Sequence, residues 1–256
     1  MQTIAAPLTD LKVINWRESP GCPRLTGGEL HLWRVDLEYI AQSADLGRLL
    51  SADERARFSR LAFPEKRELS IAGRAALRLI LAKYLNLMPR AIRFGFYEKG
   101  KPYLVNSSFG KDLQFNLSHC ERWMILGICE RANLGVDVEE LRPINHAWAI
   151  KNLFSTKEQE HLFGVSEDGR DRAFIAAWTK KEAAAKADGA GLGGFSLNRR
   201  LSNSLLENFP FEGHSFYWED PFWFLHFEPA PGYLVTVAMQ SIEKPLVKFY
   251  KFSLGN

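Results

Sequence analysis

The spacing of apolar and polar positions along the chain switches repeatedly between two periods, and the switches predict its elements. Leu30 to Asp36, with apolar Leu32 and Val35 around Trp33, reads as a first strand. Ser51-Ala52-Asp53-Glu54 signals a helix start, and from Phe63-Pro64 a longer helix runs to about Asn86 on Leu69, Ala72, Ala76, Leu77, Ile80, Leu81 and Tyr84. Residues 92–97, 103–105 and 113–118 predict short strands. Residues 123–129 and 134–139 predict a hairpin joined by Glu130-Arg131-Ala132-Asn133. The order of strand, helix and strands then returns: 134–139, a helix near 146–152, a capping box at Ser155-Thr156-Lys157-Glu158, a long helix near 168–188, and strands near 216–218, 222–228 and 233–239. This suggests two α/β halves, although no sequence repeat accompanies it.

Within that scheme two acidic segments carry chemistry. In Gly135-Val136-Asp137-Val138-Glu139 the two-residue period of a strand puts both carboxylates on one face, pointing outward, while the valines enter the core. In Trp178-Thr179-Lys180-Lys181-Glu182-Ala183-Ala184-Ala185-Lys186 the Ala and Lys content favours a helix, so Glu182 and Lys186 share a face. Carboxylates brought together raise one another's pKa unless a cation neutralises them, and oxygen-only ligands suit a hard ion that keeps positions open for water and phosphate. The plain alternative is a strand end at solvent and a surface ion pair worth about 0.3–0.5 kcal/mol.

Basic groups lie upstream. On a helix Arg74 and Arg78 fall about 20° to either side of Arg67, a stripe that fits either phosphate or solvent. Lys99 and Lys101 flank Gly100 before Pro102, a turn able to offer amines and a free backbone N–H to an anion. His119 follows Asn116-Leu117-Ser118 at a strand end. His31, His146, His161, His214 and His226 fit no ligand spacing.

Taken in order, these pieces resemble the 4′-phosphopantetheinyl transferases of the surfactin-synthetase type. The two acidic segments match that family's signature at every position, and Gly73-Arg74, Leu77-Arg78, Lys99-Gly100-Lys101-Pro102-Tyr103, Phe115-Asn116-Leu117-Ser118-His119 and Pro231-Gly232-Tyr233 extend the match. The resemblance implies an α+β fold of two pseudo-twofold-related α/β subdomains, here residues 1–133 and 134–256, with coenzyme A in the cleft between them. It implies transfer of 4′-phosphopantetheine from coenzyme A to a serine of an apo acyl or peptidyl carrier protein, releasing 3′,5′-ADP. It assigns Mg²⁺, with Mn²⁺ as the alternative ion, to Asp137, Glu139 and Glu182. Catalysis falls to Glu182 as base and Lys186 as phosphate partner. Coenzyme contacts fall to Arg67, Arg74, Lys101, Ser118, His119, Asp137 and Lys186. Helix 168–188 and the segment 189–195, with Leu192 and Phe195, are expected to meet the carrier. A chain carrying both halves is expected to be a monomer.

Composition narrows the field further. A net charge of +3 with no basic run interleaved with aromatics argues against nucleic acid. Three cysteines in no metal spacing point to a reducing cytoplasm, and no export signal or membrane span is expected. No P-loop or kinase motif supports another phosphotransferase. An inactive coenzyme- or carrier-binding protein remains the other class, against which the intact acids and Lys186 speak.

Overall fold

The computed structural model describes residues 14–18, 21, 23–105, 112–144, 146–189, 215–219 and 221–255. The segment 190–195 expected to meet the carrier lies outside them. The chain divides into two compact units, one of Asn15–Ala132 with Pro245–Asn256 and the other holding Asn133–Lys244.

In the first unit, strands β1 (Arg17–Glu18), β2 (Glu29–Asp36), β5 (Leu113–Cys120), β6 (Trp123–Glu130) and β11 (Leu246–Lys251) form one sheet in the order β1-β11-β2-β6-β5, with β3 (Phe94–Phe96) and β4 (Pro102–Leu104) as a separate pair. Helix α1 (Leu37–Ala41) continues from β2. Helix α2 (Ala52–Ser59) begins on the expected capping box, Ser51 N–H donating to Glu54 Oε2 at 2.9 Å and Glu54 N–H to Ser51 Oγ at 3.3 Å. Helix α3 (Pro64–Leu85) starts with proline in its first turn, where no N–H partner is lost, and ends at Asn86 in the left-handed region. Its inner face, Ala72, Ala76, Leu77, Ile80 and Leu81, packs in one core with Trp33, Val35, Leu126 and Ile128. The 3.6-residue period read from the sequence is the face the helix buries.

The second unit is an antiparallel sheet of β7 (Leu134–Glu140), β10 (Tyr233–Met239), β9 (Phe222–Phe227) and β8 (Ser215–Glu219), in that order. Helices α4 (His146–Leu153), α5 (Thr156–Gly164) and α6 (Glu167–Asp188) complete it, α6 lying on β7 and β10. Alanines make this approach close. A Cβ on Gly135 would stand 1.8 Å from the Ala183 carbonyl oxygen and 2.5 Å from the Ala187 nitrogen, so only glycine fits under the helix. Two successive buried lysines then tie α6 sideways: Lys180 Nζ to Glu219 Oε2 and Lys181 Nζ to Glu158 Oε2, each at 2.7 Å, with Lys181 also donating to the Leu153 carbonyl at 3.0 Å.

These elements establish the α+β class. The expected hairpin of 123–129 with 134–139 does not form. Both edges of β6 are occupied, by β2 and β5, and β7 pairs instead with β10. The strand at 246–251, which the division at 133/134 groups with the second half, runs parallel to β2 in the first unit's sheet. Among the described residues no helix is long and apolar enough to cross a membrane.

Candidate active site

Asp137 is the middle residue of β7, and α6 lies over it. Val136 and Val138 are buried as the alternation requires, but Asp137 is buried too, only 4% exposed. The expectation that the acids point outward as a pair therefore fails for Asp137, because helix α6 covers its side of the strand. Glu139, two residues on, is half-buried, as are Glu182 and Lys186 on α6. Lys186 Nζ lies 2.6 Å from Asp137 Oδ1 and donates to the Val136 carbonyl at 3.1 Å.

The three carboxyl groups sense one another. Burial pushes the Glu139 carboxyl above the ordinary carboxylate range and the Asp137 charge adds to the rise, against the Trp178 indole, which hydrogen-bonds Glu139, and the charges of Arg142 and Lys186. Burial likewise pushes Glu182 up; Lys186 opposes it, and Asp137 and Glu139 reinforce it. Trp178 thus orients one acid besides packing beside the helix core. Among the described residues no three His, Cys, Asp or Glu side chains already enclose a metal position. The donor set is nonetheless of the type a hard divalent ion takes: oxygens only, mutually repelling, with raised affinity for a cation.

The predicted basic groups occupy the first unit and are less free than a stripe on a helix suggests. Arg78 is buried, donating to Glu54 Oε2 at 2.8 Å and to the carbonyls of Pro89 and Ile92 at 2.7 and 3.0 Å. It is a structural tie. Arg74 sits 3.5 Å from Glu54 Oε1 and over the Phe94 ring, but its Nη1 is buried with no hydrogen-bond partner among the described residues. That arginine borders a cavity of about 510 Å³ lined also by Arg57, Arg90 and Arg93. These last three were missed from the sequence. Arg90 and Arg93 are close in sequence but more than thirty residues from Arg57, and only the packing of α2, α3 and the segment before β3 collects them with Arg74. Arg67 Nη2 donates to the Leu61 carbonyl at 2.9 Å near the start of α3.

At the β3–β4 turn, Gly100 adopts φ +83° and its N–H donates to the Tyr97 carbonyl at 2.8 Å, so the free N–H expected there is spent within the turn. Lys101 is half-buried. Ser118 and His119 close β5 opposite Ile125 and Met124 of β6, His119 exposed and Ser118 partly so.

Comparison with known proteins accounts for both regions. Residues 133–238 match the profile of the 4′-phosphopantetheinyl transferase superfamily, and residues 39–130 match that of the 4′-phosphopantetheinyl transferase N-terminal region. The chain is 36% identical over 179 residues to the 4′-phosphopantetheinyl transferase HetI of Nostoc sp., spanning 69% of this chain and 76% of the relative. It is 30% identical over 174 residues to a putative 4′-phosphopantetheinyl transferase of Synechocystis sp., spanning 66% and 70%. It is 29% identical over 208 residues to the 4′-phosphopantetheinyl transferase Sfp of Bacillus subtilis, spanning 75% and 88%. With the acidic segments and the basic groups falling in the two matched regions, the chain belongs to the 4′-phosphopantetheinyl transferase family.

Proposed function

We infer that this chain moves the 4′-phosphopantetheine of coenzyme A onto a serine hydroxyl of an apo acyl or peptidyl carrier protein, leaving the holo carrier and 3′,5′-ADP. The observation that carries the reading is the cluster of Asp137, Glu139 and Glu182, in which Asp137 raises the cost of charge on both glutamates and Glu139 raises it on Glu182, with Lys186 on Asp137.

In the reaction the serine oxygen bonds to the phosphorus that bears pantetheine while the bond from that phosphorus to the bridging oxygen breaks. Glu182 takes the serine proton, burial raising its proton affinity above that of an ordinary carboxylate. Lys186 holds the phosphate oxygens and neutralises or protonates the departing phosphate. Asp137, Glu139 and Glu182 would hold Mg²⁺ or Mn²⁺, whose chemistry here is to withdraw charge from the pyrophosphate. For the remaining phosphates we propose Arg67, Arg74, Lys101, Ser118 and His119, with Arg74 supported by its buried, unmatched Nη1 beside the arginine-lined cavity. We read the two units as related halves because each sets one 22-residue helix against antiparallel strands. We propose further that the protein acts as a cytoplasmic monomer.

Incubation with coenzyme A, Mg²⁺ and an apo carrier, followed by intact mass of the carrier, tests the reading. A gain of one phosphopantetheine, lost in Glu182→Gln, is expected. Tight coenzyme binding with no gain on several carriers would favour an inactive binding protein.

A further inference from the structure

One row of directly opposed residues crosses the second unit's sheet and is polar on every strand. Asp137 on β7 faces Thr236 on β10, Thr236 faces His226 on β9, and His226 faces Ser215 on β8. Opposed residues of antiparallel strands project from the same face. That face is the one α6 covers, since Lys186 reaches Asp137 and Thr179 reaches Thr236. Thr179, Thr236 and His226 are all 0% exposed. Hydrogen bonds from Thr236 to Thr179 and to His226 offset the cost of burying these three polar groups.

Counting protons gives the row a direction. Thr179 Oγ1 stands 3.0 Å from the Ala176 carbonyl, which can only accept, and 2.9 Å from Thr236 Oγ1, where either hydroxyl can donate; assigning its single proton to the carbonyl leaves it an acceptor toward Thr236. Thr236 must then donate to Thr179. Its own 2.9 Å contact with His226 Nδ1 therefore requires the proton to sit on the ring nitrogen. The chain runs from His226 Nδ1–H through both hydroxyls to a carbonyl of α6.

We propose that His226, protonated at Nδ1, is a positioning residue that acts through Thr236 and Thr179 to set the rotation of α6 on the sheet, and so the placement of Glu182 and Lys186 over Asp137. Glu182 and Lys186 follow Thr179 by three and seven residues, which at 100° per residue keeps all three on one side of the helix. The rest of that inner face is largely alanine, including Ala176, Ala183 and Ala187. The close seat of α6 on Gly135 and the Lys180 and Lys181 ion pairs hold the helix against the sheet, and the Thr179–Thr236 contact adds a directional hydrogen bond on the face that carries Glu182 and Lys186. The histidine acts on the site without touching it. This role rests on the proposed transfer at Asp137, Glu139 and Glu182; the tautomer does not.

Two measurements on the full chain test it. Long-range ¹H–¹⁵N NMR of histidine-labelled protein, with His226 assigned by its loss in His226→Asn, is expected to show a protonated Nδ1; a ring protonated at Nε2 alone overturns the proposal. In the transfer assay His226→Asn, whose amide nitrogen stands where Nδ1 stood, should keep near wild-type turnover. His226→Gln and Thr236→Val should lower kcat about tenfold or more with KM for coenzyme A unchanged, and Thr236→Ser should restore it. Folded His226→Gln and Thr236→Val proteins with wild-type kcat overturn the role, leaving the row merely structural. If Thr236→Val does not fold, Thr179→Ser against Thr179→Val gives the same comparison. A wild-type protein that modifies no carrier overturns the transfer reading instead, and the NMR result then still decides the tautomer.

Discussion

Lys186 Nζ sits 2.6 Å from Asp137 Oδ1, a carboxylate only 4% exposed, so the lysine on the last turn of α6 is what neutralises the charge at the centre of β7. Removing it leaves a buried anion with less compensation, which is costlier than losing a surface pair. Lys186→Ala is expected to lower stability by about 1–3 kcal/mol and to reduce kcat about a hundredfold, with Lys186→Arg recovering part of both. Denaturant unfolding and steady-state transfer at saturating coenzyme A measure the two effects separately.

Glu139 and Glu182 act on stability with the opposite sign. A carboxyl whose pKa is raised in the folded state is held more tightly as the acid, so its contribution is lost as pH rises through the folded value. At neutral pH both charges therefore oppose folding in metal-free protein. Glu182→Gln and Glu139→Gln should melt higher than wild type at pH 7 without divalent ions. Mg²⁺ should raise the melting temperature of wild type more than that of either variant. Thermal melts with and without Mg²⁺ check both halves of this expectation.

Gly135 is required by distance, since its backbone is not in the left-handed region that favours glycine. A methyl there meets the Ala183 carbonyl oxygen, and backbone on both sides leaves no side chain to move aside. Gly135→Ala should lift α6 from β7, costing about 1–3 kcal/mol in unfolding free energy. Activity should fall further than Glu182 or Lys186 would suggest from their own intact chemistry.

The arginines of α3 separate by role. Arg78→Met should destabilise the protein, because Glu54 and the carbonyls of Pro89 and Ile92 lose their common donor, while KM for coenzyme A stays close to wild type. His119→Ala and Arg57→Ala should do the reverse, raising KM with little change in melting temperature. Paired kinetic and thermal measurements on the three variants distinguish phosphate contacts from structural ties.

Acid should unfold the first unit through Glu29 and His31. Burial pushes the Glu29 carboxyl up, but Lys248, Thr26 and His31 together hold it at about 2, against an ordinary 4.5. Its stabilising contribution is complete above the unfolded value and is lost as pH falls from 4.5 toward 2. Burial also lowers the His31 pKa below its ordinary 6.5, so acid additionally favours the unfolded chain, where that ring can take a proton. In Glu29→Gln, stability should be lower at pH 7 and should change less between pH 4.5 and 2, as chemical denaturation across that range would show.

Which parts of this were legible in the sequence follows from the range of the forces involved. The capping box at Ser51 and Glu54, the proline start of α3 and the alanine-rich α6 are set by neighbours within one or two turns, and each is found where the sequence puts it. Pairing is not local. Alternation marks 123–130 and 134–140 as strands, and Arg131 does take the φ of +58° suited to a turn, yet nothing in either segment says that β2 and β5 already flank β6. That the acids and Lys186 lie on one strand and one helix was legible because each motif is contiguous within its element, whereas the burial of Asp137 under α6 was not. Arg57, Arg90 and Arg93 around the cavity, and the row from Thr179 to His226, were not, because each is assembled from separated segments.

The place of β11 sets an order on folding during synthesis. Its residues 246–251 lie between β1 and β2, parallel to β2, while β2, β5 and β6 are all made before residue 131. A growing chain therefore emerges with one long side of β2 unpaired, and that side stays open while the whole of 133–244 is translated. The later-made unit can reach its native sheet before the earlier-made one is complete. During that interval β2 offers a free ladder of N–H and C=O groups to any passing strand. A ribosome stalled just short of residue 246 would hold the chain at the stage where mispairing and chaperone capture are most favoured.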